Sequence, residues 1–196
     1  SLVGLHTGHL RIGASRTAGA YYIAGLLDRF KHRYPGIKVS LSVGNSETIL
    51  ARVLDFSLHA GLVAGPAEDP HLVSRPLIRD TMLVVLSPGH PLCGRTVVGI
   101  RELHRYPVIL REPGSATRRI IERAFQGAGL EVSAAMELES NQAIKSAVAE
   151  ELASGRLVGR PLQEALRLDF ALVYHRDRTP SPVVAAFLEL LPPASR

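Results

Sequence analysis

The apolar positions of the chain fall into short strips separated by polar, glycine-bearing breaks. Leu10-Arg11-Ile12-Gly13-Ala14 reads as a short strand that ends at Ser15-Arg16-Thr17. Tyr22, Ile23, Leu26, Leu27, Phe30 and Tyr34 then recur at helical spacing, on one face of a helix stopped by Pro35-Gly36. Ile37 to Val43 alternates apolar and polar residues without error, which predicts a strand with one buried face that includes Val43. Gly44-Asn45-Ser46 breaks that strand and offers helix caps, and Ile49, Leu50, Val53 and Leu54 follow on one helical face. A third strip, Ala60 to Ala64, ends at Gly65-Pro66.

Strand, helix, strand, helix, strand is the order of a parallel sheet with right-handed crossovers and helices on both faces. In such sheets ligands collect beyond the carboxyl ends of the strands. Here those ends are Ser15 to Thr17, Gly44 to Ser46, and Gly65-Pro66, all small, polar or glycine-bearing. A second unit of similar plan begins near Thr81. Its predicted strands are Met82 to Leu86, Pro107 to Leu110, Ala134 to Leu138, Leu157-Val158 and Leu168 to Tyr174. Its predicted helices run over Gly99 to His104, around Ile120 to Phe125, and after Ser140-Asn141. A last helix carries Val183, Val184, Phe187, Leu188 and Leu191 on one face. The fold class is therefore α/β, with two Rossmann-like lobes.

Composition narrows the chemistry. With 46% hydrophobic and 21% charged residues in 196, the chain can bury a core, and its composition is that of an ordered globular protein. A net charge of +5 makes nucleic acid a partner to weigh, but the basic residues are scattered and aromatic residues are 5% with no tryptophan, which fits a solvated mixed surface better. Cys93 is alone, so no internal disulfide forms, and a cytoplasmic setting fits. No apolar run approaches the ~20 residues of a membrane helix, so no membrane contact is expected.

Hydroxyl residues recur where strands give way to helices. Ser15 and Thr17 do so in the first unit, Ser115 and Thr117 in the second, and Ser140-Asn141 again. A helix N-terminus carries unpaired amides and partial positive charge, which suits a carboxylate or sulfate. Plain helix capping is the competing explanation for each pair taken alone. No G-x-S-x-G, H-E-x-x-H, P-loop or G-x-G-x-x-G motif is present, so no catalytic residue and no cofactor are expected. His6, His9, His32, His59, His71, His90, His104 and His175 lack metal-ligand spacing and read as surface histidines, with no metal site among them.

The ordered motifs resemble one family. Leu10 to Ser15, followed by a helix into Arg33-Tyr34-Pro35-Gly36, is similar to the opening of the LysR-type effector-binding domain. Gly65-Pro66 with Asp69-Pro70, Arg75-Pro76-Leu77, and Ser87-Pro88-Gly89-His90-Pro91-Leu92 continue the likeness. Arg111-Glu112-Pro113-Gly114-Ser115-Ala116-Thr117-Arg118 resembles the family's R-E-x-G-S-x-T-R pattern, and the likeness runs over nearly the whole chain. The resemblance implies a fold like the type 2 periplasmic binding proteins, with lobe I over residues 1–77 plus 178–196 and lobe II over 78–177. It implies a small anionic effector, carboxylate or sulfate-like, held between the lobes by Ser15, Arg16, Thr17, Asn45, Gly65, Ser115, Thr117 and Asn141. It also implies an N-terminal winged helix-turn-helix absent from this chain, through which alone DNA would be bound. A stand-alone periplasmic-type solute-binding protein for a small anion is the alternative on the same fold.

Three positions depart from the family pattern. Phe56 stands where the family has glycine, and His59 where it has an acidic residue. After Ala147-Val148 the glycine-rich A-G-L-G-I strand segment is missing, and the chain runs straight into Ala149-Glu150-Glu151-Leu152. The family also implies a homodimer or higher homo-oligomer. Surplus apolar residues on the Tyr21-to-Tyr34 and Thr117-to-Gln126 helices agree with an isologous contact.

Overall fold

The structure is a computed structural model that describes residues 7–65, 67–150, 157–177 and 181–191. In chain order its elements are β1 (His9–Ser15), α1 (Arg16–Tyr21), α2 (Ile23–Arg33), β2 (Lys38–Gly44), α3 (Ser46–Leu54), β3 (Ala60–Ala64), β4 (Leu72–Ile78) and β5 (Leu83–Leu86). There follow α4 (Ile100–Leu103), β6 (Val108–Arg111), α5 (Ala116–Gly127), β7 (Ala134–Leu138), α6 (Asn141–Glu150), β8 (Val158–Pro161), β9 (Phe170–His175) and α7 (Pro182–Glu189). They divide into two compact units. Unit 1 takes the chain up to Arg79 and from Asp169 onward, and unit 2 is Asp80–Leu168.

Unit 1 is built on a sheet of order β2-β1-β3-β9-β4 among the described residues. β1 runs parallel to both β2 and β3, as the strand-helix-strand pattern predicts, while β9 is antiparallel to β3 and β4. The two faces are covered differently. Gly13 and Gly61 face α3: a Cβ on Gly61 would stand 2.5 Å from Ile49 Cγ2, and one on Gly13 would stand 2.8 Å from the same atom. Glycine at these two positions is what lets α3 settle onto β1 and β3. Ile49, Val53 and Leu58 then pack with Val63, Leu72 and Val173. On the other face Tyr22 meets Phe170 at 4.9 Å between ring centroids, and Phe30 meets Phe187 of α7 edge-on at 5.6 Å.

Four expectations change. Val43 is 56% exposed, not buried, because β2 is an edge strand and its outer end is only partly covered. β9 belongs to unit 1, so Asp169 to Asp177 do not lie in lobe II as the sequence boundaries have it. A strip of buried apolar residues announces a strand but not the sheet that receives it. β4 is a strand that the sequence pattern does not announce, since Pro76 interrupts it; the proline sits on an edge strand beside a register shift, where a missing N–H is tolerated. Finally, His59 and His175 are buried, each 8% exposed, rather than surface histidines.

In unit 2 the described strands form two separate pairs, β5 with β8 antiparallel and β6 with β7 parallel. Ile100, Phe125 and Leu162 make one core cluster, and Leu86, Leu92 and Val98 another. The Arg160 guanidinium donates twice to the Cys93 carbonyl, at 2.6 and 3.2 Å, and so ties β8 to the short 3-10 turn at Pro91–Gly94.

Candidate functional site

The carboxyl ends of β2, β1 and β3 are neighbours in unit 1. Ser15 pairs with Gly44, and Ala14 pairs with Leu62, so Ser15, Asn45 and Gly65 follow three adjacent strands at one end of the sheet. Gly65 turns the chain with φ +83 and donates its N–H to the Asp169 carbonyl at 2.7 Å. That left-handed turn is why a glycine stands there. Arg16 and Thr17, the first residues of α1, are half-buried beside Ser15.

Capping accounts for some of these residues and not for others. Asn45 caps α3, its Oδ1 accepting the Thr48 N–H at 2.8 Å. Ser140 likewise accepts the Ala143 N–H at 3.0 Å at the head of α6. Ser15 and Ser115 occupy the N-cap positions of α1 and α5, yet neither side chain makes a cap bond. Ser15 is 4% exposed, and among the described residues its Oγ is the buried side-chain atom with no hydrogen-bond partner. A hydroxyl withdrawn from water without a partner costs about 1–3 kcal/mol, so a ligand oxygen that met it would recover that loss.

In unit 2 the equivalent ends are those of β6 and β7, where Arg111 pairs with Leu138. Ser115 is buried at the head of α5, Thr117 is half-buried as its second residue, and Asn141 opens α6. Arg111, 3% exposed, organises this end. Its guanidinium forks onto Glu112 through Nε (2.8 Å) and Nη2 (3.2 Å), while Nη1 donates to Asn141 Oδ1 at 2.9 Å. The sequence reading missed Arg111 as the residue that orients Asn141. The signal lay in the R-E pair closing a buried strand, where a charge is retained only if paired. Arg118 holds the same end from α5, donating to Glu122, to Glu137 and to the Arg111 carbonyl. Glu122 first and Glu137 next hold its guanidinium above its ordinary pKa, so it stays charged throughout the accessible range.

Residues 4–195 match the family described as the LysR substrate binding domain. The chain belongs to the LysR substrate-binding-domain family. An uncharacterized HTH-type transcriptional regulator of Escherichia coli K12, YeiE, is 33% identical over 203 residues, covering 96% of this chain and 69% of that protein. The transcriptional activator CmpR of Synechocystis is 35% identical over 147 residues, and this LysR domain spans 48% of its length. Among solved structures, the Synechocystis CcmR regulatory domain in complex with 2-PG is 29% identical, with a TM-score of 0.83 over 93% of this chain and 94% of that one. The effector-binding domain of QuiR, at 18% identity and a TM-score of 0.84, shares the fold. This is the type 2 periplasmic-binding-protein-like architecture. The alignment to YeiE runs over more positions than the share of this 196-residue LysR domain that it covers, so that relative carries residues lacking here.

Proposed function

We propose that this domain senses a small anionic metabolite and passes its presence to DNA-binding segments of a transcription regulator. The anion, of the carboxylate or sulfate class, is held through Ser15, Arg16, Thr17, Asn45 and Gly65 of unit 1, and through Ser115, Thr117 and Asn141 of unit 2. The observation that carries this reading is the buried, partnerless Ser15 hydroxyl at the strand end where α1 begins. Support comes from CcmR, whose regulatory domain was solved with 2-PG. The domain works by binding and not by catalysis, in the cytoplasm, and the anion acts by favouring the conformation that binds it more tightly. Among the described residues no helix is long and apolar enough to cross a membrane.

A thermal-shift series with small carboxylates and sulfate tests the site, because a ligand specific to the native state raises stability by mass action. The parent is expected to gain several degrees with a fitting anion. Ser15→Ala should match or slightly exceed the parent without ligand, since it deletes an unsatisfied buried hydroxyl, and should lose the gain. Thr17→Ala and Thr117→Ala should be near-normal without ligand and respond weakly. Parent-like responses in all three would place the anion elsewhere.

A homodimer is part of the same reading. Tyr21 is 54% exposed, Val43 borders the Gly19 backbone with its side chain 56% exposed, and Leu41 is 41% exposed. In unit 2, Met136 is 46% exposed, with Ile120 and Ile121 half-buried. Apolar surface of this kind suits an isologous contact. Sedimentation equilibrium at micromolar protein should show a dimer, weakened by Tyr21→Glu and by Ile121→Glu. A dimer untouched by both substitutions would discard this surface, and a monomeric parent would discard the dimer.

A further inference from the structure

His71 immediately precedes β4, and His175 ends β9. Leu72 pairs with His175 across these antiparallel strands, and the Arg176 N–H donates to the His71 carbonyl at 2.7 Å. The backbone therefore fixes His71 beside the turn that follows β9, where Asp177 lies. The ligating atoms of His71, His175 and Asp177 all fall within 4.8 Å of one another. The two imidazoles are stacked at 6.0 Å between centroids, with 21° between their planes.

Phe56 closes on the same histidine. Its ring lies 4.4 Å from that of His175, and its φ is +64, a backbone state that bulky residues rarely adopt. The Asp55 carboxylate, which accepts the Ser57 N–H at 2.9 Å and the Ser57 hydroxyl at 2.5 Å, brackets Phe56 in that turn. An apolar ring against a ligating histidine limits water on that side and helps fix the ring's orientation, as is common around bound metals.

The cluster is separate from the proposed effector residues of unit 1. β9 runs antiparallel to β3, with Ala64 against Phe170 and Gly61 against Val173. The end of β9 at His175 therefore lies at the start of β3, whereas Ser15 and Gly65 follow the far ends of β1 and β3.

We propose that His71, His175 and Asp177 form a binding site for one divalent transition-metal ion of the zinc class, at the end of the unit 1 sheet opposite that unit's proposed effector residues. Two imidazoles and a carboxylate are ligands that zinc accepts, with the fourth position left to water. Tetrahedral ligands at zinc distances stand about 3.4 Å apart. The donors must therefore close by little more than a side-chain rotation, and His71 and Asp177, both exposed, can supply it. His175 Nδ1 accepts the Asp177 N–H at 3.1 Å. Metal binding takes that lone pair, or moves the proton to Nδ1 and uses Nε2, and in either case releases the Asp177 amide. The ion thus replaces a hydrogen bond within the turn by a cross-link between the start of β4 and the end of β9.

The test is titration of the tag-free full chain with Zn²⁺ at neutral pH, followed by calorimetry and thermal shift, with Co²⁺ absorption to report the ligand field. One equivalent should bind with a raised melting temperature, and Co²⁺ should give the intense visible bands of a low-coordinate site. His71→Ala and Asp177→Asn, both at exposed positions, should fold normally and bind at least about tenfold more weakly, since even losing a supporting contact around a metal has that effect. His32→Ala removes the separate His32–Asp28 contact, and Ser15→Ala the effector hydroxyl; both should bind as the parent does. Parent-like binding in both His71→Ala and Asp177→Asn, loss in His32→Ala instead, or no Zn²⁺ binding by the parent would overturn the site.

Discussion

Leu62→Asp is expected to unfold unit 1, while Val43→Asp leaves it folded. Leu62 is fully buried on β3, the middle strand of the sheet, between Ala14 of β1 and Leu172 of β9. A carboxylate there has neither water nor a partner. Burial of an unpaired charge is among the few single changes that exceed about 4 kcal/mol, a large part of a domain's whole stability. Val43 lies on the edge strand with more than half its side chain in solvent, and an exposed substitution of this kind costs within about 0.5 kcal/mol. Urea denaturation followed by circular dichroism separates the two. Equal damage from both would mean that β2 is covered along its outer face. Because Val43 belongs to the apolar surface proposed for a dimer, its aspartate variant should act on sedimentation rather than on the unfolding midpoint.

The contrast shows what periodicity does and does not specify. Strict alternation from Ile37 to Val43 correctly implies a strand and tells which residues share a face. It cannot tell whether a neighbour covers that face along its whole length: Ile37 is fully buried, and Val43, six residues on, is not. The β1, α2, α3, β3 and β7 segments are legible because each carries an uninterrupted apolar pattern bounded by glycine, proline or a cap. β4 is not, because Ser74, Arg75 and Pro76 in succession break its apolar pattern on an edge strand. Placing β9 beside β3 needs the long-range pairing, which no local pattern encodes. The same limit governs the sites. Ser15 and Ser115 could be singled out from strand-to-helix boundaries, but only three-dimensional hydrogen bonding distinguishes them from Asn45, which is a working cap. His71 and His175 come from opposite ends of unit 1's sequence, so ligand spacing along the chain could never have paired them.

Phe56 gives the departures from the family pattern a physical content. A position with φ +64 suits glycine, and phenylalanine accepts it here against a strain of order 1–3 kcal/mol for a non-glycine residue in such a region. The ring contact with His175 and the Asp55–Ser57 bonds are what hold it. His59, standing where the family has an acidic residue, serves the backbone instead: its Nδ1 accepts the Arg11 N–H at 3.1 Å.

Arg111→Ala should destabilise unit 2 by about 3–5 kcal/mol, the range for removing one partner of a buried ion pair. The guanidinium is 3% exposed, and its removal takes from Glu112, itself only 12% exposed, the fork that compensates a largely desolvated carboxylate. Asn141, a proposed effector residue, loses one donor to its Oδ1 at the same strand end. Arg118→Ala is the control. It breaks ion pairs to Glu122 and Glu137, which are 38% and 48% exposed and which solvent screening reduces to about 1 kcal/mol or less each, and one hydrogen bond to the Arg111 carbonyl, worth about 1 kcal/mol. Replacing both Arg111 and Glu112 by methionine and glutamine should cost less than Arg111→Ala alone, because the largely desolvated carboxylate is then removed together with its guanidinium. Hydrogen exchange read peptide by peptide resolves the effect by region. Protection should fall across β6, β7 and the head of α5 in Arg111→Ala, while β1 and β3 keep theirs. If Arg111→Ala and Arg118→Ala lose protection equally, burial of the Arg111 guanidinium is not what makes this strand end rigid, and Asn141 is positioned by something other than the fork.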